Sequence, residues 1–204
     1  MFVMTIDQRN SRESVDRVPV LIERLSGVST LLAFERSIGD ELQGVLEDAN
    51  SVVEATMLAL RDGGWHIGIG VGEVRQPLPQ HSREAQGGAF IAAREAVERA
   101  KKSGNRVPVS VYGAIPSKQI DAAESVLRLL GGLVMARSAA EWRILDQLTP
   151  GQRGTQAEVA ESLKLSPQAV SNAVRRSGWL EEWSGREAAA LLLELADQTV
   201  AEWS

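Results

Sequence analysis

The sequence predicts an α+β protein, in which a unit of alternating strands and helices precedes a unit built only of helices. Strand-like and helix-like segments alternate over residues 1–112, and only helical periodicity follows Ser117. With 44% hydrophobic residues, 24% charged residues and 18 glycines, the 204-residue chain can bury a core. It contains no cysteine, which excludes disulfides, thiolate metal sites and cysteine nucleophiles.

The first unit contains eight segments separated by glycine, proline or polar residues. Period-two and β-branched patterns predict strands over 2–6, 31–38, 41–46, 65–72 and 107–112. Helical spacing predicts helices over 15–25, 52–60 and 89–102. The dipeptide Gly39–Asp40 is typical of the turn of a hairpin.

Three glycines, Gly68, Gly70 and Gly72, fall on one face of the fourth predicted strand. Because glycine has no side chain, either a helix or a ligand can approach the backbone closely there. We expect a helix.

The second unit contains only helical patterns, which predict helices over 120–130, 139–148, 156–163, 167–177 and 185–202. We expect residues 1–115 to form the α/β unit, 116–136 a connecting helix and 137–204 the helical unit, with Gly131–Gly132 as an alternative boundary. The last helix is rich in leucine and is followed by Trp203, which indicates packing in a dimer or against its own domain. Trp142, Trp179 and Trp183 are expected to be packing residues.

Residues 155–176 resemble the helix-turn-helix of bacterial regulators. In this interpretation Ser166 caps the second helix and Pro167 is its first residue. The family usually has glycine in the turn where Lys164 stands. The predicted core of the motif consists of Val159, Leu163, Leu165, Val170 and Val174.

This resemblance implies binding to double-stranded DNA, with Gln168 and Asn172 placed to pair with adenine. The full set of predicted DNA-binding residues is Thr155, Lys164, Ser166, Gln168, Ser171, Asn172, Arg175 and Arg176. The chain has a net charge of -5, so basic residues have to be concentrated locally. The alternative is a protein-interaction module of the same shape.

A second resemblance involves three segments of the first unit, residues 6–12, 39–43 and 67–74. They are similar to SatD-family proteins and, more distantly, to class III nucleotide cyclase domains. The resemblance implies a ferredoxin-like or nucleotide cyclase-like α/β sandwich, in which Asp7 and Asp40 hold Mg²⁺. Arg94 matches the transition-state arginine of the cyclases, whereas Phe90 replaces their asparagine, which argues against cyclisation.

Ser11 and Arg12 precede the first predicted helix and are further candidates for binding a phosphate. Their alternative role is a capping serine and a solvated arginine. His66 and His81 are isolated from each other and do not indicate a zinc site.

These observations together predict a homodimeric transcriptional regulator whose first unit senses a nucleotide or a related phosphate ligand. One alternative is a Mg²⁺-dependent nucleotide-processing enzyme, and another is a dimerisation scaffold with a vestigial site. The sequence has no recognisable signal peptide and no long apolar run, so we expect a cytoplasmic protein without membrane contact.

Overall fold

The computed structural model of the chain describes residues 1–11, 13–102, 104, 106–150 and 155–201. The fold is α+β, as predicted. The strands are β1 (Phe2–Gln8), β2 (Leu32–Arg36), β3 (Glu41–Leu46), β4 (Trp65–Val71) and β5 (Val109–Gly113). The helices are α1 (Val18–Leu25), α2 (Ala49–Asp62), α3 (Gly88–Lys101), α4 (Lys118–Ala136), α5 (Ala139–Leu145), α6 (Thr155–Leu163), α7 (Pro167–Arg176) and α8 (Trp179–Ala201).

The five strands form one sheet in the order β2-β3-β1-β4-β5. β1 lies between β3 and β4 and is antiparallel to both, while β5 joins the edge of β4 in parallel. Phe2, Met4 and Ile6 point to one face of the sheet and Val3 to the other, as the two-residue period of a strand requires. All four side chains are buried, so both faces of the sheet are covered by other elements.

Helix α3 packs directly on the backbone of β4. A Cβ atom added to Gly70 would lie 2.1 Å from the carbonyl oxygen of Ala89, and one added to Gly68 would lie 2.3 Å from the amide nitrogen of Val97. The glycines thus allow α3 to approach the strand at backbone distance, which confirms the helix-packing interpretation.

The opposite face of the sheet is covered by α1, α2, α4 and α8, which contribute to one core cluster. In α8, Leu193 and Val200 are buried in this cluster, whereas Leu191 and Leu195 remain exposed. Helix α4 also covers the edge of the sheet, where Glu124 accepts the amide hydrogen of Val111. The packing therefore differs from the predicted division, because α4 and α8 complete the core of the sheet.

A second, smaller cluster is formed by α5, α6, α7 and the first residue of α8. Val159, Val170 and Val174 are buried in it and Leu163 is partly buried against it, in agreement with the predicted core. Leu165 is 42% exposed, so its prediction as a core residue is wrong. It lies in the turn after α6, outside either helix, and helical periodicity does not fix the direction of its side chain.

The two clusters are joined by charged and aromatic side chains. The Nη1 and Nη2 atoms of Arg137 each lie 3.3 Å from Glu182 Oε2, and both residues are buried. Arg61 of α2 reaches Asp146 with two hydrogen bonds of 2.7 Å and stacks on Trp142 with its guanidinium carbon 4.0 Å from the ring centre. Bidentate and stacked arginines hold a defined geometry, so these contacts orient the smaller cluster relative to the core of the sheet.

Among the described residues, no helix combines the length and the hydrophobicity that crossing a bilayer requires.

Candidate nucleic-acid interface and polar site of the sheet

The turn between α6 and α7 contains a residue in the left-handed region, at the position where the sequence resemblance predicts glycine. Lys164 adopts φ 54°, in the left-handed region, and the amide of Leu165 donates to the carbonyl of Ala160. This conformation costs a non-glycine residue about 1–2 kcal/mol. Lys164 thus forms the expected turn at the cost of local strain.

Helix α7 begins as predicted. The Oγ atom of Ser166 accepts a hydrogen bond of 3.1 Å from the amide of Ala169, and Pro167 occupies the first helical position. The second of the two helices in the motif therefore has a defined start and direction.

One face of α7 is polar and open to solvent. Gln168, Ser171, Asn172 and Arg175 recur at three- and four-residue spacing, and all four are exposed. Arg175 donates to Asn172 Oδ1 at 3.0 Å, which aligns the amide and the guanidinium along the helix. Val170 and Val174 lie on the buried side of the same helix. The face displays hydrogen-bonding groups of the kind that contact base edges and phosphates.

Arg176 lies beside this stripe and has a protein partner. Its Nε atom is 3.0 Å from Oε1 of Glu141, in the first turn of α5. Hydrogen bonds from the Ser138 amide and hydroxyl, together with Arg176, lower the pKa of Glu141 to about 2. Arg176 therefore ties α7 to α5, a role that the sequence pattern did not indicate.

Thr155 is the first residue of α6 and is half-buried. Lys164 and Ser166 are exposed at the turn. Of the eight residues predicted to contact DNA, the structure brings seven to the turn and α7, while Thr155 lies at the far end of α6.

The first unit contains a row of polar residues across three strands. Asp7 on β1 pairs in register with Glu41 on β3 and with His66 on β4. Lys101, the last residue of α3, contacts the strand residue Asp7, with its Nζ atom 3.0 Å from Asp7 Oδ1. The Nδ1 atom of His66 is 3.7 Å from Asp7 Oδ2, too long for a hydrogen bond. We call Glu41, Asp7 and His66 the polar row.

The pKa values of the two carboxyl groups in the polar row, Asp7 and Glu41, are shifted in opposite directions. Burial raises the pKa of Asp7, but contacts with His66 and Lys101 outweigh it and hold the pKa below its ordinary value. Burial also raises the pKa of Glu41, and the positive charge of Arg94 offsets this only in part. Within the described residues, Glu41 Oε1 and His66 Nδ1 are buried without a hydrogen-bond partner. Divergent pKa values in neighbouring carboxyl groups are typical of functional sites.

Asp40 and Ser11, two further residues of the predicted site, lie in turns at the same end of the sheet. Asp40 lies in the hairpin turn, where its carbonyl oxygen accepts the amide hydrogen of Gln8 at 3.3 Å. Helix α1 begins only at Val18, because the side chain of Gln8 binds the amide of Arg17 and the carbonyl of Val15. Ser11 therefore does not lie at the N-terminus of α1. Arg12 lies outside the described residues.

The contacts of Asp7 do not fit the Mg²⁺ site that the cyclase resemblance implies. Mg²⁺ requires oxygen ligands at 2.0–2.1 Å in octahedral geometry. One oxygen of Asp7 is already bound to Lys101, and the described residues contain no group of three acidic or histidine side chains able to hold a metal ion.

Arg94 lies at a cavity of about 660 Å³ between the hairpin and α3. Arg83 also lines the cavity, and within the described residues neither guanidinium has a hydrogen bond or ion pair. Phe90, Ile38 and Ile91 form apolar parts of the wall, and Glu84 and Glu95 contribute acidic groups. The sequence pattern indicated Arg94 but not Arg83, Glu41 or Lys101. Strand alternation was the only available signal, and it applied to Glu41 alone.

Comparisons of this chain with protein-family models, with curated proteins and with solved structures find no match.

Proposed function

We propose that the protein is a DNA-binding transcriptional regulator and that α7 is its recognition helix. The observation that carries the proposal is the exposed stripe of Gln168, Ser171, Asn172 and Arg175 on a helix whose other side is buried. Amide side chains can bind adenine in a bidentate manner, and an arginine at the end of the stripe can bind guanine or a phosphate.

The geometry before α7 supports the same function. At the start of α7 the amide of Gln168 can meet a phosphate, since Pro167 has no N–H and the amide of Ala169 donates to Ser166. The exposed Lys164 adds a positive charge nearby. Arg176, bound to Glu141, holds α7 at a fixed position on α5. A recognition helix needs such a fixed position, because base contacts depend on its orientation in the major groove.

Electrophoretic mobility shifts with genomic DNA fragments, repeated over a series of salt concentrations, test this proposal. We expect binding that weakens with salt and prefers particular fragments. Asn172→Ala and Gln168→Ala should each cost about 1–3 kcal/mol on the preferred fragment and less on other fragments. Gln198→Ala, which removes an exposed amide from α8, is the matched control and should leave binding unchanged.

Two outcomes contradict the proposal. One is the absence of any salt-dependent, sequence-preferring binding. The other is a Gln168→Ala/Asn172→Ala double variant that keeps the affinity and selectivity of the original protein. The second outcome would favour a protein-interaction module.

We further propose that the first unit is a ferredoxin-like, nucleotide cyclase-like domain that senses a nucleotide or a related phosphate ligand in a homodimer. The order β2-β3-β1-β4, reached through a strand–helix–strand–strand–helix–strand path, supports the fold assignment. The cavity near Arg83 and Arg94 supports ligand binding, because unpaired guanidinium groups are suited to phosphate. Its apolar wall, which includes Phe90, could accommodate a base.

Calorimetric titration with ATP, GTP and their monophosphates, with and without Mg²⁺, tests the sensor. We expect Arg94→Ala and Arg83→Ala to weaken binding at least tenfold, which corresponds to about 1.4 kcal/mol. Arg75→Ala, on the same loop as Arg83 but outside the cavity, is the control. Equal binding by all three variants would contradict this cavity as the site.

Sedimentation equilibrium of the full chain tests the proposed homodimer. A monomer at micromolar concentration would contradict it.

A further inference from the structure

The cation nearest to Asp7 belongs to the chain itself. Lys101 Nζ lies 3.0 Å from Asp7 Oδ1 and 2.8 Å from Glu98 Oε1, so it bridges a strand carboxylate and a helix carboxylate. The other oxygen of Asp7 faces His66 at 3.7 Å. A divalent cation bound to Oδ1 would lie within a few ångströms of the ammonium group, where like charges repel strongly.

The position of Lys101 follows from the packing of α3. The backbone of this helix is fixed on β4 at Gly68 and Gly70, where no side chain separates the two. Its last residue therefore lies at the start of β4, where His66 pairs with Asp7 of β1. Although burial lowers the pKa of Lys101, its bonds with Glu98 and Asp7 outweigh this and raise it, so the ammonium form is favoured.

We propose that the ammonium group of Lys101 replaces a divalent cation beside Asp7, so that the polar row binds no Mg²⁺. A phosphate ligand in the cavity proposed above would then be neutralised by Arg83 and Arg94 rather than by a metal ion at the polar row, a consequence that rests on the proposed sensor function. This inference concerns the polar row and does not depend on DNA binding by α7.

Binding of Mn²⁺, followed by the loss of the free-ion signal in electron paramagnetic resonance, tests the proposal on the full chain. Mn²⁺ is a suitable probe because it shares the preference of Mg²⁺ for oxygen ligands. We compare the original protein with Asp7→Asn, Lys101→Met, Lys101→Met/Asp7→Asn and Lys101→Arg. Lys102→Met, at the adjacent exposed position, is the control.

We expect the original protein, Lys101→Arg and Lys102→Met to bind Mn²⁺ no better than Asp7→Asn does. Removing the ammonium in Lys101→Met should increase affinity at least tenfold, and Asp7→Asn should abolish the gain. Asp7-dependent binding of Mn²⁺ by the original protein would overturn the proposal. A folded Lys101→Met variant without a gain would also overturn it. If Lys101→Met does not fold, the comparison of the original protein with Asp7→Asn still decides whether the site binds metal, and Lys101→Gln replaces the methionine variant.

Discussion

Glu141 and Arg176 connect the first helix of the helical unit with the last turn of α7, with Arg176 Nε 3.0 Å from Glu141 Oε1. The same glutamate accepts hydrogen bonds from the amide and the hydroxyl of Ser138, in a capping box at the start of α5. One carboxylate thus stabilises the start of one helix and the position of another.

Glu141→Ala should lower the free energy of unfolding by about 1–2 kcal/mol, because it removes the reciprocal cap and leaves Arg176 without its partner. Urea denaturation followed by circular dichroism measures the change. Glu158→Ala, at an exposed position on α6, is the control and should change stability by less than about 0.5 kcal/mol. Equal stability of the two variants would contradict the role assigned to Glu141.

The pH dependence of stability should carry the signature of the same carboxylate. Its pKa is about 2 in the folded protein and has an ordinary value of 4.5. The stabilisation by ionised Glu141 is therefore present above pH 4.5 and is lost as the pH falls toward 2. Thermal melting between pH 2.5 and 7 should show a smaller loss of stability on acidification for Glu141→Gln. Parallel curves would be inconsistent with the depressed pKa.

Lys164 is predicted to be replaceable by glycine with a gain in stability. Its φ of 54° is accessible to glycine without steric cost and to asparagine at low cost. We expect Lys164→Gly to raise the free energy of unfolding by about 0.5–1 kcal/mol and Lys164→Val to lower it, as measured by thermal denaturation. Lys164 is also proposed to contact a DNA phosphate. Its loss should therefore lower the slope of log affinity against log salt concentration by about one.

The ion pair of Arg137 and Glu182 should be costly to break from one side. Glu182 is 0% exposed, and Arg137 also donates to the carbonyl of Ser177 at 3.1 Å. Glu182→Ala should destabilise the protein by about 3–5 kcal/mol, because it leaves a buried arginine without its counter-charge. The Arg137→Met/Glu182→Leu double variant should recover most of this loss. A double-mutant cycle by urea denaturation checks both values, and a sum of single effects equal to the double effect would contradict the coupling.

Gly70→Ala should separate α3 from the sheet. The added Cβ would lie 2.1 Å from the carbonyl oxygen of Ala89 and 2.3 Å from the amide nitrogen of Ala93, and both are backbone atoms that cannot rotate away. We expect a cost of at least about 1–3 kcal/mol, as for overpacked cores. Gly27→Ala, where a Cβ meets nothing within 4 Å, is the matched control. A Gly70→Ala variant as stable as Gly27→Ala would contradict the backbone contact between α3 and β4.

The local pattern of the sequence was sufficient to predict most of the elements. Two-residue alternation predicted the strands, and Gly39 lies at the hairpin turn with φ 61°. Ser166 and Pro167 defined the start of α7, and Gly68, Gly70 and Gly72 indicated a close helix. These features depend on residues near one another in the chain, which is why a single sequence reveals them.

Only the tertiary structure decided which distant residues meet. It placed α4 and α8 in the core of the sheet, joined Arg176 to Glu141, and brought Lys101 to Asp7 across the polar row. Helical periodicity identifies a buried side but not the surface that covers it. Charged residues 35 or 94 positions apart in the chain have no local signal of contact, since their meeting depends on how the helices cross and where each one ends.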